Sequence, residues 1–492
     1  MRVYLKLKKE IYVRSILRLT LISMRNVEKS RKKVYKNKYK ECFLVLQHYC
    51  KNVTEILQLL LTFFLKCNIY TLRKNILING GINLAIGDII VGIDIGTSKI
   101  CTVVGEVNNF GQIEIISNTS YKCSGLKKCK IINEDEISLS IAKTIKDAEE
   151  ETNLKINSAY VTIPGKYVTI VQNSITKDVK DKYSGISVRD VQNAIMQVKD
   201  IEIPDGKTLI DIVPDKITLD NGQIVTDPVG NLSSSFTISA QIILADKDFV
   251  RQLHNIFKKA DLEIDGIVPI TLAERNLVLD SNELHDNIML LDIGAGNIDI
   301  GVFEGSSFIY TNSIPLGGDN ITNDIAVVLN ISEEEADKLK RQYGLALKSF
   351  IDNDNDIILN TSKDENKNRI IKSSELIEII EARIEEMFSI INKDITNNGL
   401  KHKINNVVLT GQGIVNINKS DVAGKINLNI PVKISTGRAI STVKPTYRTS
   451  YALVRYIAAR PFAKTVSSSI DTQNNENVFK TILEKIKEFF YT

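Results

Sequence analysis

Cysteine is scarce and scattered in this sequence. Six occur in 492 residues: Cys42, Cys50, Cys67, Cys101, Cys123 and Cys129. No pair has CxxC spacing with a second half-site, which argues against a structural zinc site. Nothing else suggests a disulfide framework, so the chain reads as built for a reducing, cytoplasmic setting. Tryptophan is absent, which decides nothing. Long apolar runs are missing as well. The longest, Ile56 to Leu65, is about half of the ~20 residues that a membrane-spanning helix needs. It starts too far from the N-terminus for a signal peptide.

Residues 1–83 lack proline and are low in glycine, so they carry little turn punctuation. They hold 18 Lys and Arg against 4 Glu, a balance of +14, which leaves −10 for the rest of a chain whose net charge is +4. Such asymmetry suits a basic arm for nucleic acid or an anionic membrane. A blander reading is favoured. Gly80-Gly81 can be encoded by GGAGGT, a ribosome-binding sequence, and Leu84 by the alternative start TTG. The expectation is that translation begins at Leu84 and that 1–83 is translated leader, with a real basic extension as the rival. No nucleic-acid partner is expected.

What is present is ordinary for a globular protein: 43% hydrophobic and 25% charged residues, in a chain long enough for about two to four domains. From Asp88 the pattern alternates strands and helices. DIIVGIDIG, SKICTVVGEV and QIEIISNTSY are apolar strand runs. EISLSIAKTIKDAEEET spaces Ile137, Ile141, Ile145 and Ala148 as one helical face. SAYVTIPG is a further strand, so the class is α/β around a sheet. Residues 166–255 differ in texture, with three strand runs and two helical ones, and read as an inserted α+β module. The stretch from about residue 466 is polar and reads as a linker.

The chemistry concentrates in two similar bends. Asp94-Ile95-Gly96-Thr97-Ser98-Lys99 ends one strand, and Asp292-Ile293-Gly294-Ala295-Gly296-Asn297-Ile298-Asp299 repeats the plan much later. A phosphate chain held between two hairpins needs these residue types. Glycines let backbone N–H groups approach phosphate oxygens, and hydroxyls add donors. Carboxylates at the strand ends, Asp94 and Asp292, can hold Mg²⁺ directly or through water. Lys99 can neutralise phosphate charge. One such bend alone reads as a capped turn; two in register with α/β repeats are far more specific. The run Val407-Val408-Leu409-Thr410-Gly411-Gln412-Gly413 is a buried strand feeding a glycine turn suited to a flat base.

Together these motifs resemble the actin, heat-shock chaperone and sugar kinase superfamily. Within it, VGIDIGTSKI, IPGKYV, IPDGKTLIDIVPDKITLDNG, LLDIGAGNIDI, IPLGGDNITNDIA, EEADKLKRQYG, IIEARIEEMF and LTGQGI resemble the FtsA family of bacterial cell-division proteins. The resemblance implies an actin-like two-lobed ATPase fold with an inserted α+β subdomain (1C) and a C-terminal amphipathic helix. Its subdomains map as 1A at 84–165 and 256–285, 1C at 166–255, 2A at 286–330 and 401–465, and 2B at 331–400. A linker at 466–477 precedes a helix at 478–492. It implies ATP and Mg²⁺ as ligands, with weak or absent turnover. Asp94, Gly96, Thr97, Ser98 and Lys99 resemble the first phosphate loop; Asp292, Gly294, Gly296 and Asp299 resemble the second. Gly317 and Gly318 resemble the turn before the 2B helix. Asp337, Lys340 and Arg341 fall where related folds touch ribose and adenine, although an exposed charge-paired face explains them equally. Gly411 and Gly413 flank the base turn. Two residues depart from the family pattern: Asn297 replaces a threonine, and Gln412 replaces a glycine.

The final helix, NVFKTILEKIKEFFYT, puts Phe479, Ile482, Leu483, Ile486, Phe489 and Phe490 on one face, with lysines on or beside the other. It is too short and charged to span a bilayer and suits lying in an anionic interface. Arg383 and Glu386 share a face of IIEARIEEMF, the helix that in the family receives the C-terminal tail of FtsZ. The expected protein is therefore a filament-forming adaptor at the cytoplasmic face of the membrane, at the division site. The alternatives are a PilM-like pilus-assembly protein, or a sugar or acetate kinase of the same superfamily.

Overall fold

The computed structural model describes residues 88–459, apart from 109–111, 180–184, 226–227, 281, 360–368 and 436–442. All of these belong to the second of the two compact units into which the chain divides, Gly80–Thr492. The extension 1–83, the linker 466–477 and the terminal face of Phe479, Ile482, Leu483, Ile486, Phe489 and Phe490 lie outside the described residues.

Strands β1 (Ile89–Ile95), β2 (Lys99–Val107) and β3 (Ile113–Lys122) form an antiparallel meander. Helix α1 (Glu134–Thr152) starts at Asn133, whose side chain accepts from the Glu136 N–H, and carries three acids in its first turn. Both features suit the positive end of a helix. It ends at Asn153, which takes the left-handed conformation at φ 55°. Its periodic residues Ile137, Ile141, Ile145 and Ala148 are buried. Strand β4 (Ser158–Ile163) then pairs in parallel with β1.

An antiparallel module follows: β5 (Val168–Asp178), α2 (Val188–Val198), β6 (Lys207–Leu219), β7 (Ile224–Val225) and β8 (Ser235–Asp246), in the order β5-β8-β6-β7. It has its own small core, in which Ala194 and Val198 of α2 meet Phe236, Ile238 and Ala240 of β8. Helix α3 (Lys247–Lys259) does not belong to that core. Its Phe249, Val250, Leu253, Ile256 and Phe257 pack into the cluster formed by β1, β4 and α1. The expected boundary at 255 would cut this helix, so by packing the insertion ends before it.

Strand β9 (Glu263–Pro269) pairs in parallel with β4, and helix α4 (Ile270–Val278) follows. The second lobe repeats the plan. Strands β10 (Asn287–Ile293), β11 (Ile298–Glu304) and β12 (Ser307–Ile314) form an antiparallel meander. Then come α5 (Gly318–Leu329), α6 (Glu333–Tyr343), the hairpin β13 (Asp356–Leu359) and β14 (Arg369–Lys372), and the long helix α7 (Ser373–Asn397). Strand β15 (Asn406–Thr410) pairs in parallel with β10; α8 (Ser420–Leu428) and β16 (Val432–Ile434) complete the sheet. Helix α7 buries Leu376, Ile380, Ile384, Met387, Phe388 and Ile391, and these join the sheet and α5 in one continuous cluster.

The two main sheets have the same order, β3-β2-β1-β4-β9 and β12-β11-β10-β15-β16. Each is an antiparallel triplet extended by two parallel strands. This duplication, with a module inserted in the first half, is the actin-like two-lobed fold. The last described helix, α9 (Arg448–Ala458), crosses back. Its Ala452, Leu453 and Val454 pack into the first lobe's core, so the part of 401–465 from Arg448 onward packs with 1A rather than 2A. Among the described residues, no helix is long and apolar enough to cross a membrane.

Candidate functional site

The two acid–glycine bends occupy equivalent places. In the first, Asp94 pairs with Cys101 across the hairpin and the Gly96 N–H donates to Lys99 O at 3.0 Å. In the second, Asp292 pairs with Asp299 and the Gly294 N–H donates to Asn297 O at 2.9 Å. The tips touch: the Thr97 hydroxyl donates to Asn297 Oδ1 at 3.3 Å, and a Cβ on Gly296 would lie 2.6 Å from the Thr97 side chain. The threonine-to-asparagine departure thus makes a bond between lobes.

Both bends open on one cavity of about 520 Å³. Every residue singled out as nucleotide-contacting lines it except Gly296 and Gly317. Gly296 faces Thr97, and Gly317 sits behind the second bend, where its Cβ would lie 2.4 Å from Ala295 O. The next two residues tie that bend to α5: the Gly318 N–H donates to Gly294 O at 2.9 Å and the Asp319 N–H to Ala295 O at 2.8 Å.

The third segment is threaded tightly behind Asp292. Gly411 has φ 91°, and its Cβ would lie 2.3 Å from an Asp292 carboxylate oxygen. A Cβ on Gly413 would meet Gly294 O at 2.2 Å, Ile293 O at 2.7 Å and Gly318 N at 2.9 Å. Gln412, between them, is exposed. Its neighbours need to be glycine, whereas at 412 a side chain is accommodated.

Lys340 is not a free cation. Its ammonium donates to Gly318 O at 3.0 Å and Thr322 Oγ1 at 2.6 Å, and pairs with Asp337 at 2.9 Å. Arg341 Nε also bonds Asp337, at 2.7 Å, but its side chain is 67% exposed. These three charges therefore support α5 and one another at the cavity wall.

The floor of the cavity is acidic. Asp94 accepts from Thr162 at 2.7 Å, yet burial raises its pKa against the help of Thr162 and Lys99. Burial pushes Asp292 up to about 6, opposed by the Arg448 guanidinium and reinforced by Asp94. Asp299 is 1% exposed and pushed up to about 7, mainly by burial. It accepts from Ser313, from Asn297 and from the Gly165 N–H, which joins the second lobe to the turn after β4. Three carboxylates that are costly to ionise dry, around a glycine-lined cavity, fit a site completed by a cation. No group of three His, Cys, Asp or Glu forms a ready-made cage among the described residues. Mg²⁺ keeps waters and leans on ligand phosphates, so it needs only one or two protein carboxylates.

Among the polar cavity residues that were not anticipated are Glu274, Thr449 and Arg448. Glu274 of α4 is fully buried; Oε1 accepts from Thr449 at 2.8 Å, while Oε2 meets no donor. Its pKa is raised well above the usual range by burial and then by Asp292. Arg448 donates to Thr410 Oγ1 at 2.6 Å. Thr162, near the end of β4, is buried behind Asp94 and donates to it. The available signal for Glu274 was one acid on the face that α4 otherwise fills with Ile270, Leu277 and Val278.

Arg383 and Glu386 lie elsewhere, on α7. Arg383 pairs with Glu386 and, more deeply, with Asp324 of α5. They edge a second cavity, of about 540 Å³, lined also by Val328, Leu329, Ile379 and Ala382.

Comparison with known proteins agrees with this layout. Residues 289–452 match the family model for cell division protein FtsA, and residues 165–244 match that for the SHS2 domain inserted in FtsA. The Bacillus subtilis cell division protein FtsA is 29% identical over 369 residues, covering 75% of this chain and 83% of that one. The Escherichia coli K12 protein of the same name is 26% identical, covering 75% and 90%. Among solved structures, the PilM–PilN type IV pilus biogenesis complex aligns with a TM-score of 0.48 at 14% identity, covering 74% of this chain and 97% of that one. MreB5 of Spiroplasma citri bound to ADP aligns with a TM-score of 0.45 at 12% identity, covering 79% and 100%. At such scores the fold assignment rests on the duplicated sheet order, not on these alignments. The duplicated sheets, the inserted module and the sequence relatives converge: the chain belongs to the FtsA family of actin-like cell-division proteins.

Proposed function

We propose that the protein binds an adenine nucleotide with Mg²⁺ between its lobes, self-associates, and anchors the FtsZ ring to the cytoplasmic membrane. The observation that carries the nucleotide reading is the pairing of the two bends. Two hairpins with the same register and the same turn hydrogen bond open on one cavity. Backbone N–H groups of Gly96 to Ser98 and of Gly294 to Gly296, with the Thr97 and Ser98 hydroxyls, would face the phosphates. Lys99 would offset their charge. Asp94 and Asp292 would hold the cation, which supplies charge neutralisation between phosphate oxygens and these carboxylates. The exposed guanidinium of Arg341 and the Gly411–Gly413 turn would border ribose and base.

FtsZ-tail recognition is proposed for the α5–α7 cavity. Its apolar lining, rimmed by Arg383, Arg369, Glu378 and Glu386, fits a short peptide carrying both apolar and charged side chains. Membrane attachment is proposed for the 478–492 face on its residue pattern.

The nucleotide reading is tested by titrating the full chain with a fluorescent ADP analogue, with and without MgCl2. Wild type should bind in Mg²⁺, and Asp94→Asn with Asp292→Asn together should abolish the Mg²⁺-dependent part. Equal binding by wild type and the double variant would sink it.

A further inference from the structure

Glu274 raises a question that the proposed nucleotide site does not answer. It is completely buried, yet it lines the same cavity as Asp94 and Asp292. Thr449 satisfies Oε1 at 2.8 Å, and Oε2 meets no donor. A buried carboxylate oxygen without a donor is costly and uncommon. The Arg448 charge eases the burial of Glu274, but its guanidinium donates to Thr410 at 2.6 Å. A group that enters the cavity can supply the missing donor.

Mg²⁺ retains several waters and takes only one or two carboxylates directly, so its waters need acceptors of their own. Resting on the nucleotide reading above, we propose that Glu274 is a positioning residue for the nucleotide-bound divalent cation. Its unpartnered Oε2, held in place by Thr449, accepts a hydrogen bond from a water of the cation's shell. Thr449 sets the carboxylate plane, and α4 sets its depth. The helix begins directly after Pro269 at the end of β9, so the position of Glu274 is fixed by the sheet. Such outer-shell acceptors typically alter metal affinity by about 10–100-fold.

The test measures how much MgCl2 is needed to half-saturate binding of a fluorescent ADP analogue to the full chain. In Glu274→Gln that concentration should rise about tenfold or more. Affinity in excess EDTA and the thermal midpoint should stay near wild type, because the amide keeps the shape and the Thr449 bond. Thr449→Val, which frees the carboxylate to rotate, should give a smaller rise in the same direction. An unchanged half-saturating Mg²⁺ in Glu274→Gln overturns the proposal. Should that variant not fold, an unchanged value in Thr449→Val overturns it equally. A wild-type protein that binds no ADP analogue at saturating Mg²⁺ would refute the nucleotide reading itself, a result distinct from either.

Discussion

Replacing Gly413 with alanine probes the join between the second phosphate bend and the segment behind it. The added methyl would lie 2.2 Å from Gly294 O, 2.7 Å from Ile293 O and 2.9 Å from Gly318 N. All three are backbone atoms, so no rotamer change relieves the contact. The Gly413 N–H also donates to Ile293 O at 2.8 Å. Relief requires the 411–413 turn to withdraw by about 1 Å, the gap to ordinary contact distance. That strains or breaks the bond. Overpacking costs about 1–3 kcal/mol, and an orphaned buried backbone group about 1–3 kcal/mol more. A loss of about 2–6 kcal/mol follows. Urea denaturation of Gly413→Ala beside wild type measures it, with Gln412→Ala as the neighbouring control at an exposed site, expected within about 0.5 kcal/mol. A Gly413→Ala protein as stable as the control would show that the turn is not packed as described, and the site geometry would fall with it.

Three further outcomes are expected. Arg383→Glu should weaken binding of an FtsZ tail peptide at least about tenfold, a loss of about 1.4 kcal/mol, in a fluorescence anisotropy titration; unchanged binding would remove the α5–α7 cavity from consideration. Asp299 has its pKa raised from 3.8 to about 7, so its contribution to stability is full below pH ~4 and is lost as pH rises through ~7. Urea midpoints of wild type and Asp299→Asn without nucleotide should therefore diverge in the variant's favour between pH ~4 and ~7, the span of the shift, and a gap that is flat with pH would contradict the burial argument. Glutamate at both Phe489 and Phe490 should release the full chain from anionic vesicles in co-sedimentation; undiminished sedimentation would refute the interfacial helix.

The parts of the site that were legible in sequence are those with local signatures. Asp94 and Asp292 stand out because an acid inside an apolar run, followed by glycine, has few structural uses. The duplicated sheet was legible because each half starts with the same bend. What stayed hidden depends on contacts between distant segments. Glu274 and Thr449 meet through the return of α9 to the first lobe, and no local pattern announces that return. Helix α3 is amphipathic, and its periodicity names a buried face without saying which core receives it; only the packing of Phe249 and Phe257 shows that it belongs with the first lobe. At Lys340 the sequence left two readings open, a nucleotide contact implied by the resemblance and a charge-paired face, and the ammonium pairs with Asp337 while it donates to Gly318 and Thr322.

The central claim is that two equivalent bends grip one nucleotide. A crystal structure of the full chain grown with MgADP tests it most directly. The account predicts phosphates between Gly96–Lys99 and Gly294–Asn297, with the cation beside Asp94 and Asp292. Nucleotide seated away from both bends, with the Thr97–Asn297 contact undisturbed and the cleft empty, would contradict it.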